Sequence, residues 1–506
     1  MVREFAKGQT CNVDEASTVI GSTSLPDLEA CAEECLFDNG CRFADYTAAT
    51  GMCRSLSGCS AQTASSDEAD VILTKIDQPS FNSPQWMMTC PVPVMTTECM
   101  SEADYDLAIQ SVKDLFTGLP THCDAADCPE ADLGGCILRM AGHDFMDFSG
   151  GSGGADGCTD MDDGDNAGLP ECLYRGEFNG QISVDDAYVQ FCHKISLADF
   201  IVIAAEAVMS HLATENLKPS WESGFKEQFR YGRTTAFEGC EYSVGLLPNP
   251  ANSCDDVQRV FVDNMGLSWG EAAALMGVHS LGRAAIENSG YDGWWSGPVM
   301  SKTFNNNYFI SFFSKGWCPE RNVNGCSDED EAAGLCAKKN QWQLCDPDRD
   351  SPERSHEMML DSDLCLAYTD GQGELLQAAS DDCCAWQDTI NEDFSMEAML
   401  AQDDDMLCGV KCGTVLPNGR TLECHRYKHF GQGGMEAQLC CALETERTDC
   451  GTPGHGKVRT GGPAVHEAKS FADDESVWQS EFLKAWQIAT GNGFPNLQAL
   501  QPSCEA

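Results

Sequence analysis

The sequence predicts a mainly α-helical domain that follows a small cysteine-rich α+β module and contains a second cysteine-rich segment. Three observations predict this arrangement. Apolar residues recur at helical spacing from residue 101 onward, the chain has 30 cysteines, and 14 of them lie within 11–59 and 383–450. We therefore expect a module at 1–77, a linker at 78–100, a helical domain at 101–370, an insertion at 371–462, and a C-terminal helix and tail at 463–506.

The N-terminal region is the first cysteine-rich unit. Residues 11–75 hold six cysteines around a helical signal at 25–35 and strand-like pieces at Arg42-Phe43 and Val71-Ile72-Leu73. A unit this small cannot bury enough apolar surface without cross-links. The Cys31-Ala-Glu-Glu-Cys35 helix and the cysteines that follow it resemble a PAN/apple-type module, which implies a glycan or protein ligand.

The helical domain is predicted from amphipathic stretches at 105–116, 133–148, 195–212, 253–265 and 268–276. In the first, Ala108, Val112 and Phe116 lie four residues apart and give one apolar face. Short turns separate these stretches, which is typical of an all-α domain with its sites between helices. Helical periodicity returns after the insertion, between Phe471 and Trp486.

Composition restricts the compartment and the partners. Thirty cysteines without CxxC pairs at zinc-finger spacing favour disulfides over zinc, and hence a secreted protein or one in the secretory lumen. Met1 to Thr10 contain no apolar stretch typical of a signal peptide. A net charge of −49 repels nucleic acid and anionic membranes, and no apolar stretch reaches the ~20 residues of a membrane span. We expect neither nucleic-acid binding nor a membrane span.

Arg139 and His143 are the first candidate catalytic pair. They lie four residues apart, so on a helix they share one face. An imidazole can move the proton that peroxide cleavage requires, and a guanidinium can stabilise the charge that develops. By themselves, the two residues are weak evidence, and a solvated face of an ordinary helix explains them better.

A second candidate pair is His279 and Asp363. His279 ends an apolar helix before a glycine-containing turn, where it could ligate iron or simply cap the helix. Asp363, in the stretch Met358 to Leu364, could accept the other ring N–H of such a ligand and raise its basicity.

Taken together in this order, these residues resemble the plant-type haem peroxidase superfamily, over about 100–370 and 463–500. The resemblance implies the helical peroxidase fold, haem b and hydrogen peroxide as substrate. It extends to the stretches 165–169, 195–200, 232–233, 247–250 and 304–309. It also implies these roles: His143 as distal base, Arg139 as distal cation, Asn166 as partner of the distal histidine, His279 as iron ligand followed by Ser280 in the haem site, and Asp363 as its carboxylate partner.

Within the superfamily, Asn288 to Trp295 is similar to the segment that carries the redox-active tryptophan of cytochrome c peroxidases. The resemblance places Trp295 beneath the haem, with Trp294 as the alternative because two extra residues precede Phe304. Ascorbate peroxidases usually have arginine where this chain has Asn288, so ascorbate is not the expected donor. A small aromatic or a basic redox protein is expected instead.

Two positions depart from the superfamily. Gly142, which is expected beside the haem, occupies a position where relatives have Phe or Trp. The missing ring would leave open space above the iron. The segment 150–158 resembles the fungal secreted class, in which Asp144, Gly154 and Asp156 would help to bind calcium. Cys158 replaces the expected serine ligand, and a disulfide sulfur is a poor ligand for this hard cation.

Two functions remain open from the sequence. One is a peroxidase that oxidises its donor by one-electron steps through ferryl intermediates, tethered to a surface by the N-terminal module. The other is a catalytically weak, peroxidase-like extracellular protein that binds glycan or protein. His425 and His429 in the insertion could hold a metal ion, although their disulfide-rich context favours a structural role.

Overall fold

The computed structural model divides the chain into two units, Met1–Thr89 and Cys90–Ala506. The division falls within the predicted linker. The structure describes the backbone of seven strands between residues 2 and 75, and the following ranges: 93–123, 128–173, 183–236, 240, 245–314, 317–344, 357–369, 376–380, 385 and 459–504. The helix predicted at 25–35 and the histidines at 425 and 429 lie outside the described residues.

The N-terminal unit contains an antiparallel sheet of five strands in the order β1-β7-β4-β5-β3 and a separate β2-β6 pair. The strand-like pieces predicted near Phe43 and Val71 are confirmed as β4 and β7, which pair with each other. The strands are β1 Val2–Lys7, β2 Gln9–Asn12, β3 Val19–Ser24, β4 Phe43–Thr47, β5 Met52–Leu56, β6 Ala61–Ala64 and β7 Val71–Lys75.

The second unit is mainly helical, as predicted. Its described α-helices are Glu102–Lys113, Pro129–Met146, Leu169–Leu173, Val184–Val189, Leu197–Leu212, Lys218–Gln228, Cys254–Val257, Trp269–Met276, Ile286–Ser289, Asn307–Ser314, Asp328–Ala332, Asp361–Leu364, Val465–Asp473 and Glu475–Gly491. Short strands connect them: Arg230–Tyr231 with Gln498–Ala499, Arg283–Ala284 with Gly293–Trp294, Trp317–Glu320 with Gln341–Leu344 and Met358–Met359, and Tyr368–Thr369 with Arg459–Thr460.

Three helix boundaries differ from the sequence-based ones for local reasons. The helix predicted from residue 133 begins at Pro129, because proline suits a first turn whose N–H groups have no helical partner. The helix predicted to end at Phe116 ends as α-helix at Lys113 and continues as a 3-10 turn. The stretch predicted at 253–265 is an α-helix only over Cys254–Val257 and then widens into a π-helix over Gln258–Asn264.

The helix Leu197–Leu212 forms the centre of the domain. Almost every side chain along it is buried, as expected for a helix that is apolar all round. One of its two buried carboxylates, Glu206, accepts hydrogen bonds from Tyr105 Oη at 2.7 Å and Trp486 Nε1 at 2.9 Å. These bonds tie the central helix to the first and last helices of the domain, which brings the C-terminal segment back onto the core.

Disulfides brace this unit. The described pairs are Cys99–Cys504, Cys123–Cys128, Cys158–Cys240, Cys254–Cys365 and Cys326–Cys336. Within the described part of the chain, no cysteine is free, which agrees with the disulfide prediction. None of the described helices is both long and apolar enough to cross a lipid bilayer.

Two glycines set a close contact between the helix Pro129–Met146 and the turn after His279. A Cβ placed on Gly135 would lie 2.8 Å from the Gly282 Cα, and one on Gly282 would lie 2.9 Å from the Gly135 Cα. Gly282 also has φ +80°, a conformation that favours glycine. The two backbones therefore touch at a point that only glycine permits on either side.

Replacing Gly135 with alanine is expected to lower the free energy of unfolding by about 1–3 kcal/mol, because the added methyl group must push two backbones apart. Gly142→Ala on the same helix is the matched control. A Cβ at Gly142 meets only the Met146 Cε, at 3.8 Å, so this variant should gain about 0.5–1 kcal/mol of helix stability. Urea unfolding of both variants measures the difference. Equal midpoints would contradict the close contact.

Candidate active site

The helix Pro129–Met146 presents one half-exposed stripe although it lies inside the domain. The partly exposed positions are Glu130, Asp132, Gly135, Cys136, Arg139, Gly142, His143 and Met146. Because those from Asp132 onward recur at intervals of three or four residues, they share one face. The remaining positions of the helix from Leu133 to Phe145 are buried. Along this face Asp132 and Gly135 contact Arg283 and Gly282, whereas a Cβ at Gly142 would meet only Met146, so the open space lies at the end of the face that carries His143.

His143 is oriented by a hydrogen-bond chain. Its Nδ1 lies 2.7 Å from Asn166 Oδ1, and Asn166 Nδ2 donates to the Asp160 carbonyl at 2.7 Å. Because the amide nitrogen donates to Asp160, the amide oxygen faces the imidazole and accepts a hydrogen bond from the protonated Nδ1. This assignment leaves the lone pair on Nε2. His143 is thus held in the tautomer that a general base needs.

Arg139 is held by the same turn that carries Asn166. Its Nη1 donates to the Ala167 carbonyl at 2.7 Å, and its Nη2 donates to the Asp165 carbonyl at 2.6 Å. Three successive residues therefore fix both candidate catalytic side chains of the helix. Burial lowers the pKa of Arg139, and the charge of Asp165 opposes that shift.

The pKa of His143 is lowered to about 3. Burial is the largest cause, the positive charge of Arg139 adds to it, and the hydrogen bond that His143 donates to Asn166 opposes it. His279 also lies near enough for its charge to lower this pKa. His143 is consequently neutral, and able to accept a proton, throughout the physiological pH range.

This pKa predicts the pH dependence of the reaction with hydrogen peroxide that the family resemblance implies. Protonation removes the base only below its pKa, so the bimolecular rate constant should stay level from about pH 7 to about pH 4 and halve near pH 3. An unshielded imidazole would halve the rate near its usual value of 6.5. Stopped-flow measurement across this range tests the prediction. An acid limb centred near 6.5 would contradict the shielding of His143.

His279 follows a well-terminated helix. Ser268 and Glu271 form a capping box at the start of Trp269–Met276, and the chain then tightens into a 3-10 turn over Gly277–Ser280. His279 Nδ1 lies 2.8 Å from Asp363 Oδ1. The His279 side chain is 29% exposed, whereas that of Asp363 is fully buried. The half-exposed imidazole therefore has Nδ1 occupied and Nε2 available as a ligand.

Trp295 completes the group around this histidine. Its ring stacks on His279 with centroids 4.2 Å apart and planes 14° apart, and its Nε1 donates to Asp363 Oδ2 at 2.8 Å. Trp294, the alternative position, instead lies beneath the Arg283 guanidinium, 5.1 Å from its ring centroid. The structure thus brings together Trp295, and not Trp294, with the other predicted residues.

Two further donors to Asp363 were not foreseen from the sequence. Tyr308 Oη donates to Oδ1 at 2.7 Å, and the Leu360 backbone N–H donates to Oδ2 at 2.8 Å. Burial acts to raise the pKa of Asp363, but the neighbouring His279 and these hydrogen bonds outweigh it, so the pKa is lowered. The carboxylate is therefore ionised despite complete burial.

The remaining predicted positions differ in their surroundings. Gly142 is half-exposed, and a Cβ there would meet only Met146, so open space lies above this part of the helix. Ser280 is fully buried, and its Oγ has no hydrogen-bond partner among the described residues. Gly142 is placed to border a bound group, whereas Ser280 lies behind His279 in the packed interior.

These residues fit haem. A half-exposed helix face carries Arg139 and His143, and His279 offers a free Nε2 close enough to influence His143 electrostatically. Asp363 supplies the carboxylate partner that axial histidines commonly have. The donor set matches an iron porphyrin ligated on one side, with an acid–base pair on the other.

The predicted calcium residues have a different arrangement. Both carboxylate oxygens of Asp144 accept the Gly157 N–H, at 2.8 and 3.0 Å, and Oδ1 also accepts the Cys158 N–H at 3.2 Å. Asp156 Oδ1 accepts the same Cys158 N–H at 3.0 Å. Burial and the charges of Asp156 and Asp147 raise the pKa of Asp144 well above its usual value.

Calcium takes six to eight oxygen ligands, and the hydrogen bonds described for these carboxylates come from backbone N–H groups. The Gly154 carbonyl is already used by the Asp156 N–H, at 2.6 Å. Cys158 is joined to Cys240 and offers no oxygen in place of the expected serine. Across the described ranges, no group of three His, Cys, Asp or Glu side chains is placed to hold a metal ion.

Comparison with known proteins agrees with this site. The profile of the Peroxidase family matches residues 119–381, and that of the PAN domain matches residues 9–75. The mitochondrial cytochrome c peroxidase of Emericella nidulans is 26% identical over 202 residues, which are 38% of this chain and 50% of that protein. The mitochondrial cytochrome c peroxidase of Aspergillus fumigatus is 27% identical over 201 residues, 38% of this chain and 49% of that protein.

A plant relative shows a shorter match. The cytosolic L-ascorbate peroxidase 2 of Oryza sativa subsp. japonica is 41% identical over 71 residues, which are 14% of this chain and 27% of that protein. The chain spans about half the length of the two cytochrome c peroxidases. The family profile covers the residues from the Arg139 helix to Asp363, so the match includes both halves of the candidate site.

Proposed function

The chain belongs to the plant-type haem peroxidase family, and we propose that it reduces hydrogen peroxide at haem b and oxidises a donor by one-electron steps. One observation carries the proposal: each of two histidines in one site is fixed by its own polar partner. His143 is bonded to Asn166 and His279 to Asp363. Packing alone does not require two such oriented imidazoles, whereas peroxide cleavage on iron requires both.

On the side of the iron ligand, His279 would hold haem b through Nε2, and the bound iron would supply the centre at which the O–O bond breaks. Asp363 keeps its negative charge next to the Nδ1 proton of His279. That charge makes the imidazole a more basic ligand, which favours O–O cleavage.

On the opposite side, His143 moves the proton. Its Nε2 takes the proton from the first peroxide oxygen and returns it to the oxygen that departs as water. Arg139 stabilises the charge that develops between the two oxygens. Its guanidinium uses two of its five N–H groups on backbone carbonyls, so three remain for the peroxide.

Trp295 is the proposed entry point for electrons from the donor. Its ring stacks on His279, and its N–H donates to the buried negative charge of Asp363. A carboxylate in that position stabilises positive charge on the indole, so the ring can hold one oxidising equivalent. The next electron from the donor then restores the tryptophan.

The surroundings suggest two classes of donor. The net charge of −49 attracts a basic redox protein, and the open space at Gly142 admits a small aromatic. We further propose that the enzyme acts outside the cell or in the secretory pathway, since disulfides persist there. Its PAN domain would tether it to glycan or protein.

Steady-state assays with hydrogen peroxide test the function and separate the donors. The wild type and Trp295→Phe are compared with guaiacol and with ferrocytochrome c as electron donors. If a basic protein donates through Trp295, the variant should lose at least tenfold in cytochrome oxidation while guaiacol oxidation is kept. High salt should also slow the cytochrome reaction.

Haem-loaded protein that oxidises neither donor would contradict the proposed enzyme. In that case the alternative, a peroxidase-like protein that binds glycan or protein, would be favoured, because the PAN domain would then be the part with a recognised function. Oxidation of guaiacol alone, unchanged in Trp295→Phe, would contradict the role of Trp295 and support a donor that reaches the haem directly.

A further inference from the structure

The buried carboxylate of Asp363 receives more hydrogen bonds than a partner of one histidine needs. Oδ1 accepts from His279 Nδ1 at 2.8 Å and from Tyr308 Oη at 2.7 Å. Oδ2 accepts from Trp295 Nε1 and from the Leu360 N–H, each at 2.8 Å. Four donors thus share one negative charge in a site from which water is excluded.

Tyr308 and His279 compete for the same oxygen atom. A hydrogen bond to a carboxylate draws electron density towards the donor and makes the oxygen a weaker acceptor for any other proton. The hydroxyl of Tyr308 therefore weakens the pull of Asp363 on the Nδ1 proton of His279. When Asp363 attracts this proton less strongly, the imidazole becomes a weaker electron donor to a metal ion bound at its Nε2.

The position of Tyr308 is rigidly determined. It lies in the first turn of the helix Asn307–Ser314 and is fully buried. Its ring meets His279 edge-on, with centroids 5.7 Å apart, and packs against Phe312 at 4.6 Å. Asn306, just before the helix, donates to the carbonyls of Phe471 and Ala472 and fixes the start of the helix. These contacts hold the ring where its hydroxyl meets Asp363 Oδ1.

We propose that Tyr308 is a positioning residue that limits the basicity of Asp363 and so sets the reduction potential of iron held by His279. The inference rests on the proposed function, because it requires haem on His279. In this view Asp363 strengthens the iron ligand and Tyr308 moderates that effect through the shared Oδ1. A phenylalanine at position 308 would fill the same space but, because it has no hydroxyl, could not weaken the effect of Asp363 on His279.

The test uses haem-loaded full-length protein and two substitutions at position 308. Tyr308→Phe should shift the Fe(III)/Fe(II) midpoint potential to a more negative value and the Fe–His stretch of the ferrous form to a higher wavenumber. Incorporation of 3,5-difluorotyrosine, a stronger hydrogen-bond donor, should move both quantities in the opposite direction. Spectroelectrochemistry and resonance Raman spectroscopy measure the two quantities.

Tyr291→Phe is the matched control. Tyr291 is also buried, but its hydroxyl has no hydrogen-bond partner among the described residues, so its removal should change neither quantity. Potentials and stretches that are equal in the wild type and both position-308 variants would overturn the proposal. Shifts of the potential and of the stretch in the same direction in both position-308 variants would also overturn it. Failure of the proposed function would look different, because the wild type would then show no histidine-ligated haem.

Discussion

Replacing His143 with leucine should slow the reaction with hydrogen peroxide by about 10²–10⁴-fold, the range that a positioned general base contributes. Leucine fills much of the same volume but has no nitrogen to take the first peroxide proton. The half-exposed face that borders the site keeps its shape, and His279 is untouched, so haem binding should persist. Stopped-flow mixing with hydrogen peroxide measures the rate constant directly.

His211→Leu is the control for loss of an imidazole. His211 is half-buried on the helix Leu197–Leu212, where it packs against Phe116 with ring centroids 5.0 Å apart, outside the candidate site. This variant should react with peroxide at the wild-type rate. A His143→Leu variant that also reacts at the wild-type rate would show that another group removes the proton.

Replacing Asp363 with alanine should lower the free energy of unfolding by about 3–5 kcal/mol, because it leaves several donors without an acceptor and each costs about 1–3 kcal/mol. The loss leaves the N–H groups of His279 and Trp295 and the hydroxyl of Tyr308 without their acceptor in a buried site. Each unsatisfied group loses a bond that water cannot replace. Urea unfolding, followed by tryptophan fluorescence, measures the change.

Removing one negative charge from a chain with net charge −49 also reduces general repulsion, so a charge control is needed. Glu287→Ala serves, because Glu287 is exposed on the short helix Ile286–Ser289. This variant should unfold at nearly the wild-type urea concentration. If Asp363→Ala does the same, the hydrogen bonds around the carboxylate do not stabilise the fold as described.

The sequence was sufficient to predict the helical domain and the main pairs of the site. Arg139 and His143 share a helix face, so their four-residue spacing is visible without a structure. His279 and Asp363 became a pair through their order in the chain and the family resemblance. The aromatic residues of the helix Asn307–Ser314, by contrast, have a pattern typical of an ordinary hydrophobic core. The contact of Tyr308 with Asp363 joins residues 55 positions apart, and no local pattern encodes it.

Two other features depend on backbone geometry that side-chain patterns do not show. The contact of Gly135 with Gly282 is not visible in the sequence, where each glycine only lowers the predicted helix propensity. The Asp144 carboxylate suggested a cation ligand by its residue type, but the structure aims the N–H groups of Gly157 and Cys158 at it. Residue type alone does not reveal whether amide hydrogens or a cation satisfy a buried carboxylate.

The visible spectrum of the purified protein, before and after one equivalent of hydrogen peroxide, tests the central claim most directly. We expect a Soret band that shifts within seconds of peroxide addition and is lost in His279→Ala, because His279 is the proposed iron ligand. Absence of a Soret band after haem is supplied, or a band that peroxide does not change, would contradict the assignment of this site as a haem peroxidase centre.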